Sequence, residues 1–389
     1  MYKFYNSEQI GAPEIHSVQG NLIDFFDCLL VNGFHSLPIS TITRSGTIAT
    51  ATFVNAHLYV EDQILLISGA NQAEYNGEFE IFNITVKSFD FTVVDTVSTP
   101  ATGALFVKVA PAGWTITAAV GDKKIYRYPG GHQYYLVLNE ETCPELGAIA
   151  GGTPYTTATI QIVESVVDID TYGNTTGTVY VRKGITEDKG PQKWAAVVSE
   201  RGMHFAIGWT TKDWVDLTTL GEFNSNVIDD QYNIMISGHY SYSGSTYHQT
   251  QLYSGTDAYH YAQMTVDVIK LEIGSYLLRD YMGANDTICA FQNVLLNSSG
   301  FNDYSANNSF MPFRSLVDGS VYLNQVYINE FAGVRGQVAG LFFPMVTFPE
   351  CTFFKIERNM IINGQTKNIL FLQMHMGIVG IDLTGDWYA

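Results

Sequence analysis

Basic residues are scarce in this 389-residue chain, where 20 Lys and Arg stand against 38 Asp and Glu for a net charge of −18. Clustered Lys and Arg supply most of the affinity of proteins for a phosphate backbone, so direct binding to nucleic acid is not expected. Charged residues of both signs make up only 15% of the chain and apolar residues 46%. This composition argues against disorder and long charged helices, and predicts about two or three globular domains at this length.

Cysteines are also few, and they are widely separated. The four are Cys28, Cys143, Cys289 and Cys351, and no two form a CxxC pair. Zinc sites usually bring their ligands in close pairs, and secreted disulfide scaffolds are much denser in cysteine. The sequence therefore predicts four reduced thiols, mostly buried.

Long apolar runs are missing. The N-terminus passes directly from Met1–Tyr5 into polar residues, without the apolar core of a signal peptide. The longest apolar stretch, residues 338–348, is interrupted by Pro344 and is about half the length that spans a bilayer. We expect a soluble protein that is made in the cytoplasm and does not insert into a membrane.

Motifs that carry chemistry are missing too: the chain has no GxGxxG, P-loop, GxSxG, HExxH or EF-hand pattern. Asp168-Ile169-Asp170 is interpreted as a solvated strand edge, Asp229-Asp230 as acids of a polar loop, and His239, His248 and His260 as exposed hairpin residues, rather than as metal ligands. The sequence thus predicts no catalytic, cofactor-binding or metal site, and a protein that is not an enzyme. A polysaccharide-degrading enzyme stays a third alternative, because 38 acids make some suitable carboxylate pair almost inevitable.

One segment near the N-terminus has the period of an amphipathic helix. Its apolar residues recur every 3.6 positions and form one stripe, namely Val18, Leu22, Phe25, Phe26, Leu29 and Leu30. Ser17 is suited to cap the start and Gly33 to end the helix. The stripe must pack either on this chain's own β-structure, which is the commoner case, or on a neighbouring subunit. This N-terminal segment covers residues 1–35.

After residue 36 the apolar period changes to two, which is typical of half-buried strands. Strands are predicted at 47–53, 57–60, 63–68, 78–84 and 89–93, and together they predict a small antiparallel β-module over residues 36–103 with an exit loop at 100–103. Further strands are predicted at 134–138, 159–163, 177–181, 203–209, 341–348, 369–373 and 377–383. The predicted fold is therefore mainly β, with a larger sandwich-like or barrel-like domain over 104–389, open to a division near 223–235.

A tyrosine-rich segment lies within this larger region. It contains Tyr240, Tyr242, Tyr247, Tyr253, Tyr259 and Tyr261, interleaved with Ser and Gly. Recognition loops use this mixture, because tyrosine offers rigid amphipathic area beside adaptable polar groups. The alternative is an ordinary solvent-facing sheet with aromatic cross-strand pairs. If the segment is a contact surface, its partner is either a neighbouring subunit or a sugar.

Several colinear segments from residue 11 to residue 387 resemble one family. They include Gly11-Ala12-Pro13, residues 27–33, residues 57–79, residues 111–115, Lys193-Trp194, His204-Phe205, residues 335–344 and Asp386-Trp387. In their order and content they resemble a family of tailed-bacteriophage virion structural proteins that carry a small Ig-like β-module near the N-terminus. Residues 224–308 depart from the family pattern.

The resemblance implies a building block of the virion and leaves its position open among tail, baseplate, neck and head. The hypothesis from the sequence is a structural component that self-assembles into a symmetric oligomer and binds neighbouring virion proteins, with tail or baseplate favoured over head. It carries no catalytic residues over to this chain. A receptor- or glycan-binding adhesin of the tail is the alternative, favoured by the tyrosine-rich segment.

Overall fold

The structure is a computed structural model. It describes residues 2–141, 157–176, 178–184, 190–208, 215–238, 275–277, 290–293, 323–330, 333–344, 353–362, 364–374, 377–385 and 387–388. Within these ranges the protein is mainly β, with one short α-helix near the N-terminus and several antiparallel sheets, which confirms the predicted fold class.

The N-terminal segment contains strand β1 (Lys3–Asn6) and helix α1 (Asn21–Phe26), which continues as a π-helix over Asp27–Asn32. Gly33 ends this helical segment with φ +69°, and an added Cβ would lie 2.3 Å from the Val109 carbonyl oxygen, so glycine is required there.

The predicted start of the helix is wrong. Gly20, not Ser17, occupies the N-cap position. Val18 precedes the helix and is 46% exposed, so it does not belong to the buried stripe. The physical reason is a tertiary cap, since the Glu140 carboxylate accepts hydrogen bonds from the first-turn N–H groups of Leu22 and Ile23, each at 3.3 Å.

The next region is a sandwich of two small sheets. Its strands are β2 (Phe34–Pro38), β3 (Thr41–Ser45), β4 (Ile48–Thr52), β5 (Ile64–Ala70), β6 (Gly77–Glu80), β7 (Ser88–Thr92) and β8 (Gly103–Val109). One sheet has the order β2-β8-β5-β6 and the other β3-β4-β7, and a 3₁₀ turn at Ala73–Tyr75 precedes β6. Strand β8 pairs with β2 and β5, so this β-structure continues to Val109 instead of ending at the predicted exit loop.

The strand predicted at 57–60 is also wrong. Leu58 has φ +61°, and the backbone N–H of Tyr59 donates to the His57 ring nitrogen Nδ1 at 3.0 Å. A local hydrogen bond from the backbone to a side chain therefore replaces the backbone pairing that a strand would make here. The aromatic rings of His57 and Tyr59 still point inward, which explains why the alternation resembled a strand.

A six-stranded antiparallel sheet follows. Its strands are β9 (Thr115–Val120), β10 (Lys123–Arg127), β11 (Tyr135–Asn139), β12 (Thr157–Val166), β13 (Tyr172–Thr175) and β14 (Val179–Arg182). The order is β13-β12-β11-β10-β9, and β14 also pairs with β12, so β9 forms one edge of the sheet.

The remaining strands form a thirteen-stranded sheet together with β1. They are β15 (Trp194–Val198), β16 (Gly202–Gly208), β17 (Val215–Glu222), β18 (Asn224–Ser225), β19 (Ile234–Ser237), β20 (Ser275–Leu277), β21 (Ala290–Asn293), β22 (Leu323–Glu330), β23 (Gly333–Pro344), β24 (Phe354–Ile362), β25 (Gln365–Met374) and β26 (Gly377–Asp382). Because β1 pairs with β15, the first residues of the chain are part of this sheet.

The small sandwich is packed against the rest of the protein. One continuous set of buried side chains includes Phe89 of the sandwich, Phe26 of the helix and Ile160 and Phe205 of the two larger sheets. At the surface, Arg358 of β24 contacts the Asp62 carboxylate through both Nη atoms, with Nη1–Oδ1 at 2.8 Å.

No helix in the described ranges is long and apolar enough to cross a membrane.

Candidate functional site

The apolar stripe of the N-terminal helix packs inside the chain. Phe25 meets the indole of Trp194 edge-on, with ring centroids 4.8 Å apart, and Phe26 meets Phe205 in the same way at 5.4 Å. Leu22, Leu29 and Leu30 are fully buried as well. The partner of the stripe is therefore this chain's own β-structure, and its five buried members are not available to a neighbouring subunit.

A buried ion pair fixes the start of this helix. The side chains of Glu140 and Lys183 are both 0% exposed and in direct contact, and Lys183 Nζ also donates to the Val18 carbonyl oxygen at 2.7 Å. Burial raises the pKa of Glu140, and the adjacent ammonium group of Lys183 opposes that rise. The pair holds together three segments that lie far apart in the chain, so its role in the fold is structural.

The tyrosine-rich segment lies outside the described residues, as do His239, His248 and His260; its tyrosines are Tyr240, Tyr242, Tyr247, Tyr253, Tyr259 and Tyr261.

Three of the four cysteines, Cys143, Cys289 and Cys351, also lie outside the described residues. Cys28 is a free, half-buried thiol, and burial raises its pKa to about 11.

The acidic pair at Asp168 and Asp170 occupies a bend. Asp168 Oδ1 accepts the backbone N–H groups of Asp170 at 2.9 Å and Thr171 at 2.8 Å. These hydrogen bonds, chiefly that from Asp170, lower the pKa of Asp168. Asp170 pairs instead with Lys123 at 2.7 Å. The two carboxylates therefore shape a turn, and the described part of the chain has no cluster of three or more His, Cys, Asp or Glu side chains suited to a metal ion.

A polar pocket of about 510 Å³ lies where the large sheet meets the loop after β10. Its lining combines amides, charged groups and two aromatic rings, namely His132, Arg201, Phe223, Asn224, Ser225, Val227, Asp229, Asp230, Gln231, Asn233, Gln337 and Tyr388.

Asp230 is fixed in one wall of this pocket. Arg335 Nε and Nη2 donate to its two carboxylate oxygens, each at 2.9 Å, and both side chains are almost completely buried. Arg335 also donates to the Tyr232 carbonyl oxygen at 2.6 Å and covers the ring of Phe223. This bidentate pair attaches residues 225–232 to β23, so Asp230 is a structural anchor within the polar loop that the sequence predicted.

Glu222 lies behind the part of the lining that His132 and Arg201 form. Its Oε1 accepts the His132 backbone N–H at 2.6 Å, and its Oε2 is 3.9 Å from Arg201 Nη1. Burial raises the pKa of this carboxyl, and the His132 N–H opposes the rise. Gly131 permits the arrangement, because an added Cβ would lie 1.7 Å from the carboxylate.

The arrangement can bind a polar group through hydrogen bonds. The half-exposed Arg201 and His132 offer donors at the rim, and the side chains of Asn224, Gln231 and Gln337 line the same space. Sequence reasoning did not find this pocket, because segments ninety or more positions apart meet there and each segment alone is an ordinary strand end or turn. The glycine pair before His132 is a local signal of a close approach, since Gly131 has φ +59°.

No protein-family model matches this chain, and a search of curated proteins finds no match.

Proposed function

We propose that this protein is a structural component of a tailed-phage virion, which self-assembles and binds neighbouring virion proteins in the tail or baseplate. The proposal depends on the colinear resemblance, and one observation about the fold supports it. The segments that carry the resemblance, although far apart in sequence, contact one another in the structure.

The end of the N-terminal helix provides the first such contact. Ala112 N–H donates to the Leu29 carbonyl at 2.8 Å, and the N–H groups of Gly113 and Trp114 both donate to the Leu30 carbonyl at 2.9 Å. Two resembling segments, 27–33 and 111–115, thus satisfy each other's backbone groups at a helix end.

The tryptophans of the resembling segments form further contacts. Trp194 Nε1 donates to the Pro13 carbonyl at 2.8 Å, which ties the first segment to β15. His204 lies against Trp387 with ring centroids 4.8 Å apart, and its Nε2 is 2.8 Å from the Ala339 carbonyl oxygen. The last segment of the resemblance is therefore packed on two of the earlier ones.

The architecture is compatible with this role. A sandwich-like, mainly β protein whose first strand lies in its largest sheet is suited to a rigid building block. Its aromatic residues provide area for packing and for interfaces at low entropic cost.

Quantitative mass spectrometry of gradient-purified particles tests the proposal. We expect this chain at a constant copy number relative to the major capsid protein across successive purification steps. A replication enzyme of the same phage serves as the control, and its ratio should fall at each step. Absence of the chain from purified particles would contradict the proposal.

The alternative is a receptor- or glycan-binding adhesin of the tail, favoured by the Tyr, Ser and Gly composition of residues 239–261. Replacing Tyr242, Tyr247 and Tyr253 together by Ser should then abolish adsorption to host cells while particles still assemble. Unchanged adsorption would exclude this role for the segment.

A further inference from the structure

The polar pocket beside the loop after β10 has walls that are fixed by contacts within the protein. Arg335 holds the Asp230 carboxylate through two hydrogen bonds. Asn233 Nδ2 donates to the Phe223 carbonyl at 2.9 Å, and Asn233 Oδ1 lies 3.0 Å from the His132 ring nitrogen Nδ1. These contacts join separate segments of the chain, so the shape of the pocket is set before any ligand binds. A ligand therefore loses little affinity to ordering of the site.

Three other side chains of the lining form no such contacts. Within the described residues, the Arg201 guanidinium, the Asp229 carboxylate and the Gln337 amide make no hydrogen bond. The acid nearest to Arg201 is Glu222, at 3.9 Å. Gln337 is half-buried within β23, where its backbone pairs with β18 on one side and β22 on the other. Because polar side chains in such positions usually have a partner, these three groups are available to a ligand that replaces water.

The charges around the pocket favour a ligand without net charge. Arg201 is positive, but Asp229 lines the same space and the Glu222 carboxyl adjoins Arg201. The charges of Asp230 and Arg335 cancel within their bidentate pair. A phosphate, sulfate or carboxylate group at Arg201 would therefore be opposed by neighbouring acids, and a cation would be opposed by Arg201 itself.

The three unpaired side chains together match hydroxyl groups. A guanidinium only donates hydrogen bonds, a carboxylate only accepts them, and an amide does both. A hydroxyl donates one hydrogen bond and accepts up to two, so adjacent hydroxyls of one molecule can satisfy all three side chains at once. The Tyr388 ring and Val227 add a small apolar surface for C–H groups, and the volume of about 510 Å³ is in the usual range for small-ligand sites.

A peptide fits this lining less well. Modules that bind peptides use a long strand edge, an apolar groove or clustered arginines. None of these occurs among the described lining residues, whose only strand with an open side is the two-residue β18. The lining thus favours a polyhydroxylated ligand over a peptide.

We propose that this pocket binds a neutral saccharide through Arg201, Asp229 and Gln337. The role goes beyond the proposed structural function and does not rest on it. It also differs from the adhesin alternative, which places recognition in residues 239–261.

Binding of the full chain to an array of neutral and acidic glycans tests the inference. Isothermal titration with the neutral glycan that binds best then measures the Kd. We expect binding to at least one neutral glycan. Failure of every neutral glycan to bind, or binding of acidic glycans alone, would overturn the inference.

Two variants assign the binding to the pocket. Gln337→Ala removes the unpaired amide, and Asp229→Asn removes the charge but keeps a residue type that tolerates the φ of +58° at this position. Each should raise the Kd about fivefold or more. Gln365→Ala and Asp95→Asn are the matched controls, because both residues are exposed and lie outside the lining, and they should bind as the wild type does. An unchanged Kd in both pocket variants would overturn the inference.

Hydrogen exchange of the wild type gives a measurement that needs no variant. The bound glycan should protect amides of residues 224–233, while those of 41–52 should exchange as before. Protection confined to any other segment would overturn the inference, and protection confined to 239–261 would favour the adhesin alternative. The particle measurement keeps the proposals separate. A chain that is absent from particles but binds a glycan in the pocket contradicts only the proposed function, and a virion protein whose pocket binds no glycan contradicts only this inference.

Discussion

Removing one partner of the Glu140–Lys183 pair tests whether the N-terminal helix depends on a tertiary cap. In Lys183→Met, the Glu140 carboxylate stays buried and keeps the N–H groups of Leu22 and Ile23, but it loses its counter-charge. The Val18 carbonyl also loses its donor. The variant therefore has an uncompensated buried charge at the start of α1.

The expected cost follows from the burial of both partners. Breaking a fully buried ion pair destabilises a protein by about 3–5 kcal/mol, whereas removing both charges together is often nearly neutral. Burial already raises the pKa of Glu140, and loss of Lys183 raises it further. A carboxyl whose pKa is higher in the folded state binds protons preferentially there, so the destabilisation should shrink as pH falls through that pKa.

Equilibrium urea unfolding at pH 7 measures these differences. Lys183→Met should lower the free energy of unfolding by about 3–5 kcal/mol, and the double variant Glu140→Gln/Lys183→Met should lie within about 2 kcal/mol of the wild type. Lys355→Met breaks the exposed pair with Glu357 and serves as the control, with an expected loss below about 1 kcal/mol. The reasoning is refuted if Lys183→Met costs no more than this control, or if the double variant is less stable than Lys183→Met alone.

Two further predictions concern the contacts of the C-terminal segment. Burial lowers the pKa of His204 from its usual value of 6.5 to about 4. The neutral imidazole therefore stabilises the folded state fully above pH 6.5. This stabilisation, about 3 kcal/mol, is lost as the pH falls towards 4. Urea midpoints between pH 7 and pH 4.5 should therefore depend less on pH in His204→Gln than in the wild type, and equal slopes would contradict this. Gly340 has φ +67° and an added Cβ would lie 2.4 Å from the Trp387 ring, whereas Gly364 has φ +78° and open space. Thermal unfolding should show Gly340→Ala less stable than Gly364→Ala by about 1–3 kcal/mol, and equal losses would refute the steric argument.

Apolar periodicity predicted fewer than half of the strands that the structure describes, and it missed long ones such as β8 and β17. The strand predicted at 203–209 was found within one residue, as Gly202–Gly208, and the strand predicted at 369–373 lies inside the longer strand Gln365–Met374. Both were recognised from runs of apolar residues. The helical stripe from Leu22 to Leu30 was found for the same reason. The error at 57–60 arose because the inward-pointing rings of His57 and Tyr59 alternate with exposed residues as in a strand, although this segment pairs with no strand.

The pairing of distant segments could not be predicted in this way. Nothing local indicates that Glu140 caps the helix at Leu22, that Arg335 neutralises Asp230, or that Lys3 begins a strand on Val198. These contacts join residues more than a hundred positions apart, and many pairings of short strands satisfy the same apolar pattern. The polar pocket escaped detection for this reason, since it exists only where such segments meet.

The sequence by itself determined the class of this protein: its low charge, alternating apolar residues and single helical stripe specify short strands and a buried core, because these follow from the burial of side chains along each segment. Only the tertiary structure decided which strands lie at an edge. An edge is defined by the absence of a neighbour, and a neighbour can come from any part of the chain. The strand Thr115–Val120 lies at an edge only because no other described strand pairs with its second side.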